Sequence, residues 1–171
     1  MLQIRTAEDF VARGRRERQR RRRVARRRGV LPHVLRLFVE QEGPVARTTL
    51  EHALPGFTAA RLGRELARLD ALDLILLQDD AVALAYPFSG LATAFVVRLA
   101  NGQERYACCA VDALGIAAML RQRIDVRSRC HHCGESLELA ADAAGPEPSA
   151  AGMMVWVGKR EAGGGRVCTS L

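Results

Sequence analysis

The run Tyr106-Ala-Cys-Cys-Ala-Val-Asp-Ala-Leu-Gly115 gathers reactive side chains in an apolar setting. Asp112 is the only charged residue between Tyr106 and Leu120. It follows Cys109 by three positions, so on a helix the thiol and the carboxylate share a face. Such a pair can act together on a metal or on a proton. Three more thiols lie downstream: Cys168 near the end of the sequence, and Cys130 and Cys133 in Cys-His-His-Cys. Cys-x-x-Cys is half of a structural zinc site, and a complete one needs two further ligands. His131 or His132, or Cys109 and Cys168, are candidates. Each of these thiols also has a plain alternative as a buried structural cysteine, and spacing alone does not choose.

The elements that must position these residues follow from periodicity and turn chemistry. Residues 34–40 form a short amphipathic stretch. Thr48-Thr-Leu-Glu51 matches a capping box and predicts a helix through Leu54, broken by Pro55-Gly56. Thr58 caps a predicted helix over residues 59–70, whose apolar face uses Leu62, Leu66 and Leu69. Residues 72–77 and 81–85 read as a hairpin around Gln78-Asp79-Asp80. Three helices and a hairpin give a winged-helix-like order, an arrangement that serves DNA binding and plain scaffolding alike. Tyr86-Pro87-Phe88-Ser89 reads as a packing bend between modules, placed where it could line the site.

Beyond this bend, residues 93–99 and 103–106 are strand candidates joined at Asn101-Gly102, a tight-turn signal. A helix over residues 107–121 carries Cys109 and Asp112, with Gly115 weakening it locally. Strands follow at residues 124–128 and 136–140 around the Cys130–Gly134 turn. Residues 141–152 read as a loop and 153–157 as a strand placing Met153, Met154 and Trp156 in the core. A flexible turn at 161–165 leads to a last strand at 166–171. The fold class is α+β: a basic extension over residues 1–29, a winged-helix-like three-helix module over 30–88, and a mixed α/β core over 89–171.

Composition narrows the function further. The chain has 171 residues, 49% of them hydrophobic, and a formal net charge of +7. That charge sits in one tail, since residues 13–28, from Arg13 to Arg28, hold eleven arginines and one glutamate. The remainder is mildly acidic. The arginine run is a candidate nucleic-acid arm, but it contains no aromatic residue to stack on bases, so a solvated charge run is the preferred reading. No apolar run is long enough to cross a bilayer, and the first residues do not read as a signal peptide. The expected setting is the cytoplasm, where thiols stay reduced, and the expected state a monomer or weak dimer. Phosphate-binding glycine loops and a Gly-x-Ser-x-Gly elbow are both missing.

The Tyr106-Ala-Cys-Cys-Ala-Val-Asp-Ala-Leu segment resembles the first catalytic helix of the alkylmercury (organomercurial) lyases, whose pattern is Tyr-Ala-x-Cys-Ala-x-Asp-x-Leu. Val45-Ala-Arg-Thr-Thr-Leu50 is similar to the family's N-terminal module. Residues 126–130, Gly134 and Leu137 resemble its following strand, turn and strand. The resemblance spans about residues 45–171. It implies an alkylmercury-lyase-like core that breaks a carbon–mercury bond by protonolysis. Two thiolates push electron density onto the soft metal, and a carboxylic acid protonates the departing carbon. Carried over, Cys109 takes the mercury first, Asp112 shuttles the proton and is a third ligand, and Cys168 is the second thiolate.

The resemblance also implies an organomercurial substrate and no required cofactor. The bound product is mercury(II), which passes to small thiols or a mercuric reductase. The sequence departs from the family at Cys108, at its end three residues after Cys168, and at Cys130-His-His-Cys133. For this turn, an inert or mercury-scavenging role is preferred to a zinc site at Cys130/Cys133. Two other readings stay open: a non-catalytic thiolate protein that binds or senses metal, and a DNA-binding regulator.

Overall fold

The computed structural model describes Val24 and residues 29–155. Most of the arginine run, Trp156, the turn at 161–165, the last expected strand and Cys168 lie outside the described residues.

Helix α1 (Leu31–Glu40) opens the described fold. It starts three residues earlier than the amphipathic stretch suggests, because Pro32 in its first turn has a backbone already set for a helix. Leu31, Val34 and Phe38 form its buried face. Strand β1 (Val45–Ala46) then runs directly into α2 (Arg47–Ala53). This corrects the capping-box expectation. Ala46 takes the cap position with no side-chain hydrogen bond. The Arg47 N–H donates to the Asp80 carbonyl at 3.1 Å, and Glu51 pairs with Arg47 at 3.2 Å instead of reaching back to Thr48. Pairing of β1 with β3 has fixed the entry to the helix two residues earlier, at Ala46 in place of Thr48.

Helix α3 (Ala59–Ala71) follows the sequence reading closely. The Thr58 hydroxyl accepts from Arg61 N–H at 3.2 Å, and Leu62, Leu66 and Leu69 are buried. The helix closes through a turn at Asp73 (φ 55°), which shifts β2 to Ile75–Gln78 from the expected 72–77. Strand β3 (Ala81–Ala85) completes the hairpin.

β4 (Phe88–Ser89), β5 (Val96–Arg98), β6 (Glu104–Ala107), α4 (Ala110–Leu120), β7 (Ile124–Arg129), β8 (Ser136–Asp142) and β9 (Gly145–Pro146) follow, then a 3-10 turn at Pro148–Ala150. Residues 141–152 are therefore more ordered than the expected loop. At the other end of this region the expectation fails. Residues 153–155 are not a strand, and Met153 and Met154 are exposed.

All nine strands join one sheet in the order β1-β3-β4-β6-β5-β7-β8-β9, with β2 also paired to β3. Every pairing is antiparallel among the described residues. The α+β reading holds in this antiparallel form. β4 joins the two halves, since it pairs with β3 on one side and with β6 on the other. Phe88 on β4 is fully buried and stacks on Phe38 of α1, ring centres 6.3 Å apart. Two residues on, Gly90 lies against the Pro44 backbone, where an added Cβ would come within 2.5 Å of the Pro44 nitrogen. Arg105, also buried, donates to the Phe38 and Val39 carbonyls at 2.9 and 2.7 Å and so caps the end of α1 from β6.

These contacts tie the N-terminal helices to the strand that leads to Cys109. Phe88→Ala is expected to destabilise the fold by about 3–5 kcal/mol, the usual cost of emptying a buried phenylalanine site. Urea unfolding followed by circular dichroism reads this directly. A change under about 1 kcal/mol would remove Phe88 from its place at the joint.

Candidate active site

Strand β6 ends where Ala107 pairs with Phe88. Thr93 fastens this end: its hydroxyl donates to the Ala107 carbonyl at 2.7 Å. Thr93 did not stand out in the sequence, and no local signal marks it. Two cysteines follow, between the strand and the next helix. Cys108 is buried, its N–H donating to the Pro87 carbonyl at 3.1 Å and its thiol to the Phe88 carbonyl at 3.2 Å. Cys108 therefore faces the interior beside Leu84 and Tyr86, away from its neighbour. The Tyr86–Ser89 bend serves packing as expected, because its carbonyls hold Cys108.

Cys109 is not inside the helix. The sequence suggested a helix from 107, but α4 starts at Ala110 and Cys109 is its cap, with extended φ −158° and ψ 177°. Pairing of β6 through Ala107 keeps the chain in strand geometry up to this point. The Cys109 sulfur takes the role usually given to a serine or aspartate oxygen and accepts the Asp112 N–H at 3.4 Å. The thiol in turn donates to Asp112 Oδ2 at 3.1 Å. Cys109 thus caps α4 through its sulfur while Asp112 accepts from the same thiol, and this three-residue spacing was available in the sequence. The carboxylate sits in the first turn of α4, where the helix dipole favours negative charge.

A cysteine at a helix N-terminus commonly has a lowered pKa. Cys109 goes the other way, pushed up to about 11. Burial is the first cause and the Asp112 charge the second. Backbone N–H groups of Asp112 and Val111 oppose the shift and lose. At neutral pH the pair is therefore a thiol hydrogen-bonded to a carboxylate, with one proton stored between them.

Cys130 and Cys133 lie in the tight turn between β7 and β8. Gly134 turns with φ +74°, its N–H donates to the Cys130 carbonyl at 2.9 Å, and Cys130 N–H donates to the Glu135 carbonyl at 2.8 Å. Backbone N–H groups of Cys133 and His132, in that order, hold the Cys130 thiol below its ordinary value. His131, His132 and Cys133 are exposed, as expected of turn residues. Among the described residues no group of three or more His, Cys, Asp or Glu converges as a metal site, so neither histidine completes a zinc site with the two thiols.

Sheet register relates the two thiol groups. Val96 of β5 faces Tyr106 of β6 on one side and Arg127 of β7 on the other. β6 and β7 therefore run parallel, two strand spacings or about 10 Å apart. Cys109 and Cys130 each follow these partners by three residues, so both leave from the same end of the sheet. Cys168 lies outside the described residues. A surface hollow lies elsewhere, lined by Arg47, Gly63, Leu66 and residues 77–82. None of its lining residues carries a thiol.

No helix among the described residues is long and apolar enough to cross a membrane. Comparison with known proteins adds to this geometry. No curated protein matches the chain. A solved structure described as the mercury-bound form of MerB2 aligns with a TM-score of 0.52 at 18% identity, over 69% of this chain and 66% of that one. At that identity the likeness is one of fold. The family model described as MerB, alkylmercury lyase, matches residues 88–171. The resemblance first read around Cys109 therefore holds: residues 88–171 of this chain match the alkylmercury lyase family.

Proposed function

We propose that the protein is an organomercurial lyase, cleaving a carbon–mercury bond by protonolysis to a hydrocarbon and mercury(II). The observation that carries this reading is the 3.1 Å contact between the Cys109 thiol and Asp112, inside the segment that matches the family. An incoming organomercurial exchanges its ligand for the Cys109 sulfur. The thiol must lose its proton as the sulfur–mercury bond forms, and Asp112 is the hydrogen-bonded acceptor. The charge that kept the thiol protonated is neutralised in the same step.

Asp112 then holds an acidic proton beside the metal. Attack by the second thiolate, Cys168 in this reading, raises electron density at mercury. The carbon leaves with the bond's electron pair and takes the Asp112 proton. The regenerated carboxylate is a third ligand for the mercury(II) that remains on Cys109 and Cys168. No organic cofactor enters this sequence. Small thiols or a mercuric reductase accept the ion.

The remaining assignments complete the reading. The order of helix, strand, two helices and hairpin supports a winged-helix-like module at 30–88, with a lyase-like core at 89–171 and a basic extension at 1–29. The protein would work in the cytoplasm as a monomer or weak dimer.

Headspace detection of benzene from phenylmercury and excess thiol tests the proposal. The wild type should release benzene over many turnovers. Cys109→Ser should abolish release, and Asp112→Ala should lower the rate by roughly 10²–10⁴-fold, the range for a lost general acid. Mercury held tightly without benzene would instead indicate a thiolate metal-binding protein.

The resting proton has its own test. Because Cys109 is protonated until about pH 11, its alkylation by iodoacetamide should still be climbing above pH 9. Asp112→Asn removes one cause of the upward shift, so its profile should move to lower pH and its rate at about pH 8 should rise several-fold. Peptide mapping resolves Cys109 from the other thiols. An unchanged profile would separate Asp112 from the thiol's proton.

A further inference from the structure

The Cys130-His-His-Cys133-Gly134 turn has no part in the chemistry assigned to Cys109. It is nonetheless built, not merely exposed. Gly134 supplies the left-handed residue (φ +74°) that brings the chain back after the second thiol. Two backbone hydrogen bonds, Gly134 N–H to Cys130 at 2.9 Å and Cys130 N–H to Glu135 at 2.8 Å, close the turn. The backbone of Cys133 and His132, and then the Cys133 side chain, hold the Cys130 thiol below its ordinary value. Donors arranged around a sulfur stabilise negative charge there, which a metal thiolate requires.

The number of ligands then selects the metal. A structural zinc site needs four, and no third histidine, cysteine or carboxylate converges on this pair among the described residues. A hard cation would want oxygen ligands, which the turn does not gather. Two thiolates without further ligands suit a soft cation that is satisfied by two-coordinate binding, of which mercury(II) is the clearest case.

We propose that Cys130 and Cys133 form a second, solvent-facing site that binds one mercury(II) ion between two thiolates. Both thiols release their protons to solvent as two sulfur–mercury bonds form. The mercury stays divalent, its former ligands leave, and nothing is oxidised. Choosing mercury from among soft cations rests on the lyase reading above. The site lies at the same end of the sheet as Cys109.

The test supplies mercury(II) chloride, so its outcome does not depend on carbon–mercury cleavage. Full-length protein carrying Cys109→Ser and Cys168→Ser keeps only buried Cys108 and the turn thiols. After gel filtration in excess monothiol it should retain one mercury ion per chain, with thiolate–mercury absorption in the ultraviolet. Adding Cys133→Ser, an exposed position whose loss should spare the fold, should abolish retention and absorption. His131→Ala with His132→Ala should leave both unchanged. Equal retention with and without Cys133, or none in either variant, would overturn the proposal. Retention only by paired chains would also overturn it, since the ion would then bridge two turns.

Discussion

Pairing of Ala107 with Phe88 fixes the last residue of β6 that lies in the sheet, and the site depends on this register. Moving the strand end by one residue would exchange the inward and outward faces, putting Cys109 where Cys108 is buried. As built, Cys108 is spent on the Phe88 carbonyl and Cys109 is left to cap α4. The register is itself held by apolar packing, with Phe88 stacked on Phe38, and by Thr93 and Arg105, which tie β6 to the chain on either side. A hydrophobic joint between two halves of the molecule thus sets the position of one sulfur atom.

From that position the electrostatics follow. A helix N-terminus favours a thiolate, but burial and the carboxylate at Asp112 outweigh it. The result is a stored proton, not a reactive anion, as the proposed protonolysis of a carbon–mercury bond requires. Cys130 has the opposite balance: it is more open to solvent and surrounded by backbone donors, and its thiol gives up a proton more readily. Two sulfur environments of opposite character come off one end of one sheet. Their separation in chemistry comes from local burial and hydrogen bonding, while their shared end of the sheet comes from the antiparallel order β6-β5-β7.

Much of the scaffold was readable where local chemistry decides it. Thr58 and the Leu62, Leu66 and Leu69 stripe specify α3 without help from the rest of the chain, and the Cys130–Gly134 turn follows from its glycine. Readings failed where a distant strand intervenes. The Thr48 capping box lost to β1–β3 pairing, which moves the cap of α2 two residues back to Ala46. A helix reading from 107 lost to β4–β6 pairing. Met153 and Met154 looked like core by composition, yet they follow the 3-10 turn at Pro148–Ala150 and remain exposed.

The sequence by itself determined the pair on which the proposed chemistry rests. Residue types and the three-residue spacing of Cys109 and Asp112 put a thiol and a carboxylate within reach whether the segment is helical throughout or capped at Cys109, because i and i+3 meet in both geometries. It also carried the family pattern over residues 88–171. Tertiary structure decided which cysteine of the Cys108-Cys109 pair is available and which way its proton equilibrium leans. Those properties depend on burial and on contacts with Pro87, Phe88 and Thr93, fourteen or more residues away in the chain. Local propensity has no term for such contacts, so only the folded sheet could set them.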